Sequence, residues 1–154
     1  MATSAFITTA NGWAIGECRG PIKETIEGVI GGSDNLVDGD LLKITGVDDT
    51  SGILTFEKAT GANEVHGMLM HDRKPGEGCQ VLIKGIAKPN ATLAADGAII
   101  AAGAGIALKA GKLAAPASSG TSHSFGTALS AGAANSADHM LIFFNTLIPR
   151  GDAK

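Results

Sequence analysis

Four histidines, two cysteines and a scatter of acids are the reactive side chains of this sequence, and spacing decides what they can do. His66 and His71 stand five apart in "HGMLMH". On a strand an odd separation sends two side chains to opposite faces, which is poor chelating geometry. His123 and His139 lack a carboxylate or thiol at ligand spacing, so a four-ligand zinc site with Cys18 and Cys79 is disfavoured. Ser122, His123 and Ser124 with Asp138 supply hydrolase residue types, but no "GxSxG" elbow accompanies them. "GAGIALKAGKL" fails as a phosphate loop: five residues separate Gly105 from Gly111, and Leu113 stands where a metal-binding hydroxyl belongs. Arg150-Gly151-Asp152 spells an integrin tripeptide in a polar tail, and Asn90-Ala91-Thr92 spells a glycosylation acceptor that means nothing without secretion. These patterns predict no catalytic residue, no metal and no cofactor. The chain reads as built for surfaces.

Composition narrows the surfaces it could meet. The 154 residues suit one domain able to bury roughly two-thirds of its unfolded surface. Charged residues are 18% of the chain, the net charge is −3, and Lys and Arg are dispersed. A nucleic-acid partner would need a basic stripe, and a membrane surface a polybasic cluster, so neither partner is expected. The first twenty residues have no basic start and no long apolar run, so no signal peptide is expected, and no stretch approaches the ~20 residues of a membrane helix. Without an export signal, Cys18 and Cys79 are expected as free thiols.

The elements that would carry such surfaces are short strands. "LLKITG" places Leu42 and Ile44 on one face and Leu41, Lys43 and Thr45 on the other. "VDDTSG" is a hairpin loop, and "ILTFEK" alternates again with Leu54 and Phe56 on one face. "CQVLIKGIAK" places Val81, Ile83 and Ala87 opposite Gln80, Lys84 and Lys88. "GIALKAGKLAA" turns at Ala110-Gly111, and the apolar run in "HMLIFFNTLI" suits a strand buried on both faces. "GPIKETIEGVIGG" fits either a helix or a strand; Gly28 weakens the helix by ~1 kcal/mol, and we read residues 21–30 as strand. Turn signals every 8–12 residues or so point to an all-β sandwich or barrel. "VDGDLLKITG" and "AADGAIIAAG" repeat one phrase, Asp-Gly before an apolar run, which is the signature of a turn opening a strand.

From about Val65 onward the phrases "VHGMLM", "PGEGCQVLIKGIA", "ATLAADGAIIAAGAGIALKAGKL", "GTSHSFGTALSAG" and "DHMLIFF" follow one another in a telling order. This order resembles the tailed-phage capsid decoration proteins, also called cement or head-stabilising proteins. Gly67, Gly85, Gly97, Gly111, and Gly126 with Ala128 and Leu129 occupy the matching places, and "DNLVDGDLLKITG" is similar to the first barrel hairpin of that family. The resemblance spans residues 36–144. It implies an all-β fold, a small β-barrel or β-tulip-like domain of short hairpins. It also implies a homotrimer, made in the host cytoplasm, that binds the major capsid protein on the outer surface of the expanded head and resists the pressure of packaged DNA. Another virion β-module, such as a tail-tube or head-completion protein, or a non-viral β-binding module, remains the alternative.

The expected organisation is an N-terminal arm and first strand at 1–30, a β-barrel domain at 31–148 and a polar tail at 149–154. Phe6, Ile7, Trp13 and Ile15 are apolar residues in an otherwise small and polar arm, and are candidates for capsid binding. A lone tryptophan on such an arm is a typical interface anchor, although Trp13 could equally cap the chain's own barrel. Met140, Ile142, Phe143 and Phe144 exceed the apolar need of one small barrel and are candidates for the oligomer interface.

Overall fold

The computed structural model describes residues 12–61, 65–93, 100–115, 124–130 and 139–146. All regular structure among them is β. The elements are β1 (Cys18–Ile30), β2 (Leu41–Val47), β3 (Leu54–Lys58), β4 (Gly67–Leu69), β5 (Gly78–Ala87), β6 (Gly105–Lys109), β7 (Lys112–Ala114), β8 (Gly126–Ala128) and β9 (Ile142–Asn145). Residues 21–30 form a strand, as read from the sequence.

Two pairings of β1 organise the molecule. It runs antiparallel to β5 along nearly its whole length and parallel to β3 at Gly28–Leu54, Val29–Thr55 and Ile30–Phe56. Together with the β3–β2, β2–β4 and β4–β5 pairings this closes a five-strand ring. The C-terminal half of β5 then carries a branch in the order β9-β8-β6-β7. In place of one clean barrel, the fold is therefore a five-strand ring with a sheet branching from it. Residues assigned to the arm region are part of that ring, because β1 lies against β5.

Gly28 is the residue that lets the ring close. A Cβ built there would sit 2.5 Å from the Leu54 carbonyl oxygen and 2.5 Å from the Phe56 ring. Only glycine permits that backbone approach.

Two apolar cores result, one on each side of the ring wall. Inside the ring lie Ile30, Leu36, Leu42, Phe56, Leu69, Cys79 and Val81. Between ring and branch lie Leu41, Met68, Leu82, Ala87, Ile106, Leu113, Phe125, Ile142 and Phe144, among others. Consecutive residues divide between the cores: Leu41 and Leu42, Met68 and Leu69, Leu82 and Val81. Strands buried on both faces carry unbroken apolar runs, which is why these stretches do not alternate cleanly. Each fully buried Leu or Phe contributes about 1.5–3 kcal/mol relative to exposure.

Two sequence expectations change. Between Leu82 and Lys84 the register with β1 slips, leaving Ile83 as an extra residue in β5. A bulge inverts the alternation beyond it. Val81 therefore faces the ring core while Ala87 faces the branch core, not the same side. In β9, Ile142 and Phe144 are buried and Phe143 and Asn145 are half-buried, so this strand is buried on one face only.

The repeated phrase has a partial counterpart. Asp38-Gly39 makes the turn that opens β2, with Gly39 at φ 92° and Asp40 N–H donating to the Val37 carbonyl at 3.1 Å. Asp96-Gly97 lies outside the described residues. The β6–β7 hairpin instead turns at Ala110-Gly111, as its sequence suggested.

Candidate functional site

The chain reaches β1 through a clasp built on its own ring. Gly16 N–H donates to the Lys88 carbonyl at 2.6 Å, and the Lys88 ammonium donates to the Trp13 carbonyl at 3.0 Å. The Arg19 guanidinium lies 4.5 Å over the Trp13 ring and donates to the Gly12 carbonyl at 2.6 Å. It also pairs with Glu17 at 2.8 Å. An exposed cation–π contact of this kind is worth about 0.5–1 kcal/mol. Trp13 is half-buried and Ile15 is 40% exposed. Phe6 and Ile7 lie outside the described residues.

Beneath the clasp the Val37–Asp40 turn is fixed by a buried acid. Asp40, 2% exposed, accepts from Val37 N–H at 2.9 Å and from the Asn90 amide at 2.9 Å, with the Lys58 ammonium 3.7 Å away. The turn leaves room for the clasp only because Gly39 lacks a Cβ, which would lie 3.0 Å from Ile15 and 3.1 Å from the Gly16 nitrogen. Asp38 sits against Gly16, and its carboxyl is raised above the ordinary value by burial, opposed by nearby His71 and reinforced by Asp72.

The four candidate residues near the C-terminus divide. Met140, Ile142 and Phe144 are buried in the chain's own branch core, where the Phe144 ring lies 5.6 Å from that of Phe125. That core absorbs the apolar surplus seen in "MLIFF". Phe143 points the other way, because neighbours on a strand alternate. It pairs with Ile86 of β5 and Thr127 of β8, and Ile86 pairs in turn with Arg19 of β1. Cross-strand partners share a face. A row Arg19–Ile86–Phe143–Thr127 therefore crosses the outward face of the sheet, with Trp13 stacked on its first member. Ile86, Phe143 and Thr127 are half-buried.

Thus tertiary structure joins Trp13 and Phe143, which the sequence separates by 130 residues (143 − 13), on one amphipathic face. Lys84, paired with Glu24 and Asn145, and Lys88 stand in β5 or just after it, beside that row. Ile86 and Thr127 are members that sequence reasoning missed. The only signal for Ile86 was its place two residues from Lys84 and Lys88, and the bulge at Ile83 obscured it.

The described histidines and cysteines lie elsewhere, and His123 is outside the described residues. His66 Nδ1 accepts the Ile44 N–H at 2.9 Å, and His139 Nδ1 lies 3.1 Å from the Ala91 carbonyl. Cys18 is opposite Ala87 and Cys79 opposite Gly28, eight residues apart on β5 (87 − 79). That is about 26 Å along a strand, so the two cannot bridge. Both thiols are free. Burial pushes the Cys79 thiol up, opposed by a Gly28 backbone hydrogen bond and Arg73, and burial likewise raises Cys18, opposed by Lys23. A cleft of about 490 Å³ beside Cys79 is lined by Glu27, His71, Arg73 and Gln80. Among the described residues no three His, Cys, Asp or Glu side chains gather to hold a metal.

Half-buried apolar residues framed by charge thus share one face of an all-β scaffold. No protein-family model and no curated protein matches the chain. Among solved structures, the fold is similar to that of the N base of head fiber gp8.5 in bacteriophage phi29, with a TM-score of 0.52, 16% identity, and coverage of 81% of this chain and 96% of that one. At that identity the likeness is one of fold. The resemblance glycines fall at structural junctions: Gly67 and Gly126 open β4 and β8, Gly85 lies in β5 and Gly111 in the β6–β7 turn, while Gly97 is outside the described residues.

Proposed function

We propose that this chain is a structural protein of a tailed-phage particle that binds the outer surface of the head through the major capsid protein. The observation that carries the reading is the fold shared with a phage head fiber base over most of both chains. The order of motifs across residues 36–144 supports it independently. On this reading the protein acts as an oligomer, most simply a homotrimer, and stabilises the expanded shell. Several simultaneous contacts gain avidity, because the second and third are effectively intramolecular. Binding only the expanded lattice stabilises that lattice by linkage, and no catalysis is needed. The Trp13–Arg19–Ile86–Phe143 row is the contact surface we assign, whether to shell or to sister protomer.

The test is co-sedimentation of the purified chain with expanded, undecorated shells, alongside light scattering of the chain alone. Saturable binding that raises the temperature at which shells rupture is expected, and Ile86→Lys should weaken binding or trimerisation without unfolding the protein. A chain that neither sediments with shells nor delays their rupture would overturn the reading.

A further inference from the structure

The apolar core of the ring does not stop where the ring stops. In the β2–β3 hairpin, Leu42 pairs with Lys58, Ile44 with Phe56 and Val47 with Leu54. Cross-strand partners share a face, so Leu42, Ile44, Val47, Leu54 and Phe56 form one ladder. Its inner rungs, Leu42 and Phe56, are fully buried, Leu54 is half-buried, and Ile44 and Val47 are 38% and 60% exposed. Ile53, beside the tip, is 47% exposed.

A bulge aims the last rung. Ile44 and Val47 are an odd number of residues apart and would otherwise face opposite ways. The register slips between Ile44 and Gly46, leaving Thr45 extra, and this returns Val47 to the ladder face.

The tip is also hydrogen-bonded to itself and acidic. The Asp48 carboxylate accepts from Ser51 N–H at 2.7 Å, Ser51 Oγ at 2.9 Å and Thr50 N–H at 3.0 Å, and Asp48 N–H donates to the Ile53 carbonyl at 2.8 Å. From Ile44 to Phe56 the sequence "ITGVDDTSGILTF" holds two aspartates and no lysine or arginine. A second copy meeting tip to tip would set these carboxylates against each other. A basic, apolar partner would meet complementary charge and a preformed surface. The tip lies at the far end of β2 from the Trp13 clasp, about 20 Å along the strand, so one subunit could be held at both ends.

We propose that the β2–β3 tip docks a capsid-shell subunit that presents an apolar side chain flanked by lysine or arginine. This rests on the reading of the chain as a head protein. The experiment measures binding of wild type, Val47→Lys and Asp49→Lys to expanded shells across a salt series. Both positions are exposed, and Asp49 makes only a 3.4 Å contact from Thr50 Oγ1, so the fold is kept, as circular dichroism would verify. The expected results are shell binding by wild type and a loss of about tenfold or more for Val47→Lys. Asp49→Lys should lose several-fold at low salt, with the difference fading as salt screens it. Wild type that sediments with shells together with an equally competent Val47→Lys overturns this inference and leaves the functional reading standing. Wild type that ignores shells overturns both. A shell-free oligomer that dissociates on Val47→Lys assigns the tip to a second copy and also overturns it.

Discussion

Gly28→Ala is the most direct probe of ring closure. The added methyl would lie 2.5 Å from the Leu54 carbonyl oxygen and 2.5 Å from Phe56, which is fully buried. Real Cβ contacts do not occur at that distance, so β3 must move or the ring side chain must turn. Phe56 sits in the inner core with Leu42, Leu69 and Val81, which leaves it little space. The Leu54 oxygen is backbone and belongs to the parallel β1–β3 pairing itself. Overpacking costs about 1–3 kcal/mol, and the upper end applies because backbone rather than a flexible side chain obstructs. About 3 kcal/mol is roughly a hundredfold in the folding equilibrium and lowers Tm by about 6–12 °C for a chain of this size. Gly46→Ala is the control, since nothing lies nearer than 4.0 Å to its Cβ. It should be neutral or stabilising by up to ~1 kcal/mol, because glycine is a poor strand residue. Urea unfolding of the three proteins measures the differences. If Gly28→Ala unfolds within about 0.5 kcal/mol of wild type, the β1–β3 approach does not constrain the ring and the reasoning fails.

Three further outcomes follow from the same geometry. Asp40→Ala leaves the Val37 N–H and the Asn90 amide without their buried acceptor, and should cost about 2–3 kcal/mol in urea unfolding. The Asp48 carboxyl is held below its ordinary value by Ser51 N–H, Ser51 Oγ and Thr50 N–H. Its folded pKa is depressed, so its contribution to tip order is full above the unfolded carboxylate pKa and is lost as pH falls through the lower folded value; an NMR titration should show this, and Ser51→Ala should move it back toward the ordinary value. In a thiol-labelling experiment on the native protein, half-buried Cys18 should react well before Cys79, which is 5% exposed, and no intramolecular disulfide should form under oxidation.

The sequence by itself determined the class of fold and most of its strands. Period-two alternation in β2 and β3, the Asp38-Gly39 turn and the Ala110-Gly111 hairpin are local properties, set by side-chain direction and turn chemistry within a few residues. Only the tertiary structure decided which face each strand presents. The bulges at Ile83 and Thr45 insert one residue each, and one residue inverts the alternation beyond it. The sequence reading put Val81 and Ala87 on one face and Val47 in the hairpin loop; the register parts the first two and brings Val47 onto the face of Ile44. Closure of the ring was equally illegible, because it depends on a parallel pairing of β1 with β3 through Gly28, a contact between residues 26 apart (54 − 28). Met140, Ile142 and Phe144 read as surplus until the branch sheet folded over the ring and gave them a core. Phe143, one residue out of step, was left facing outward beside Ile86, in line with Arg19 and Trp13.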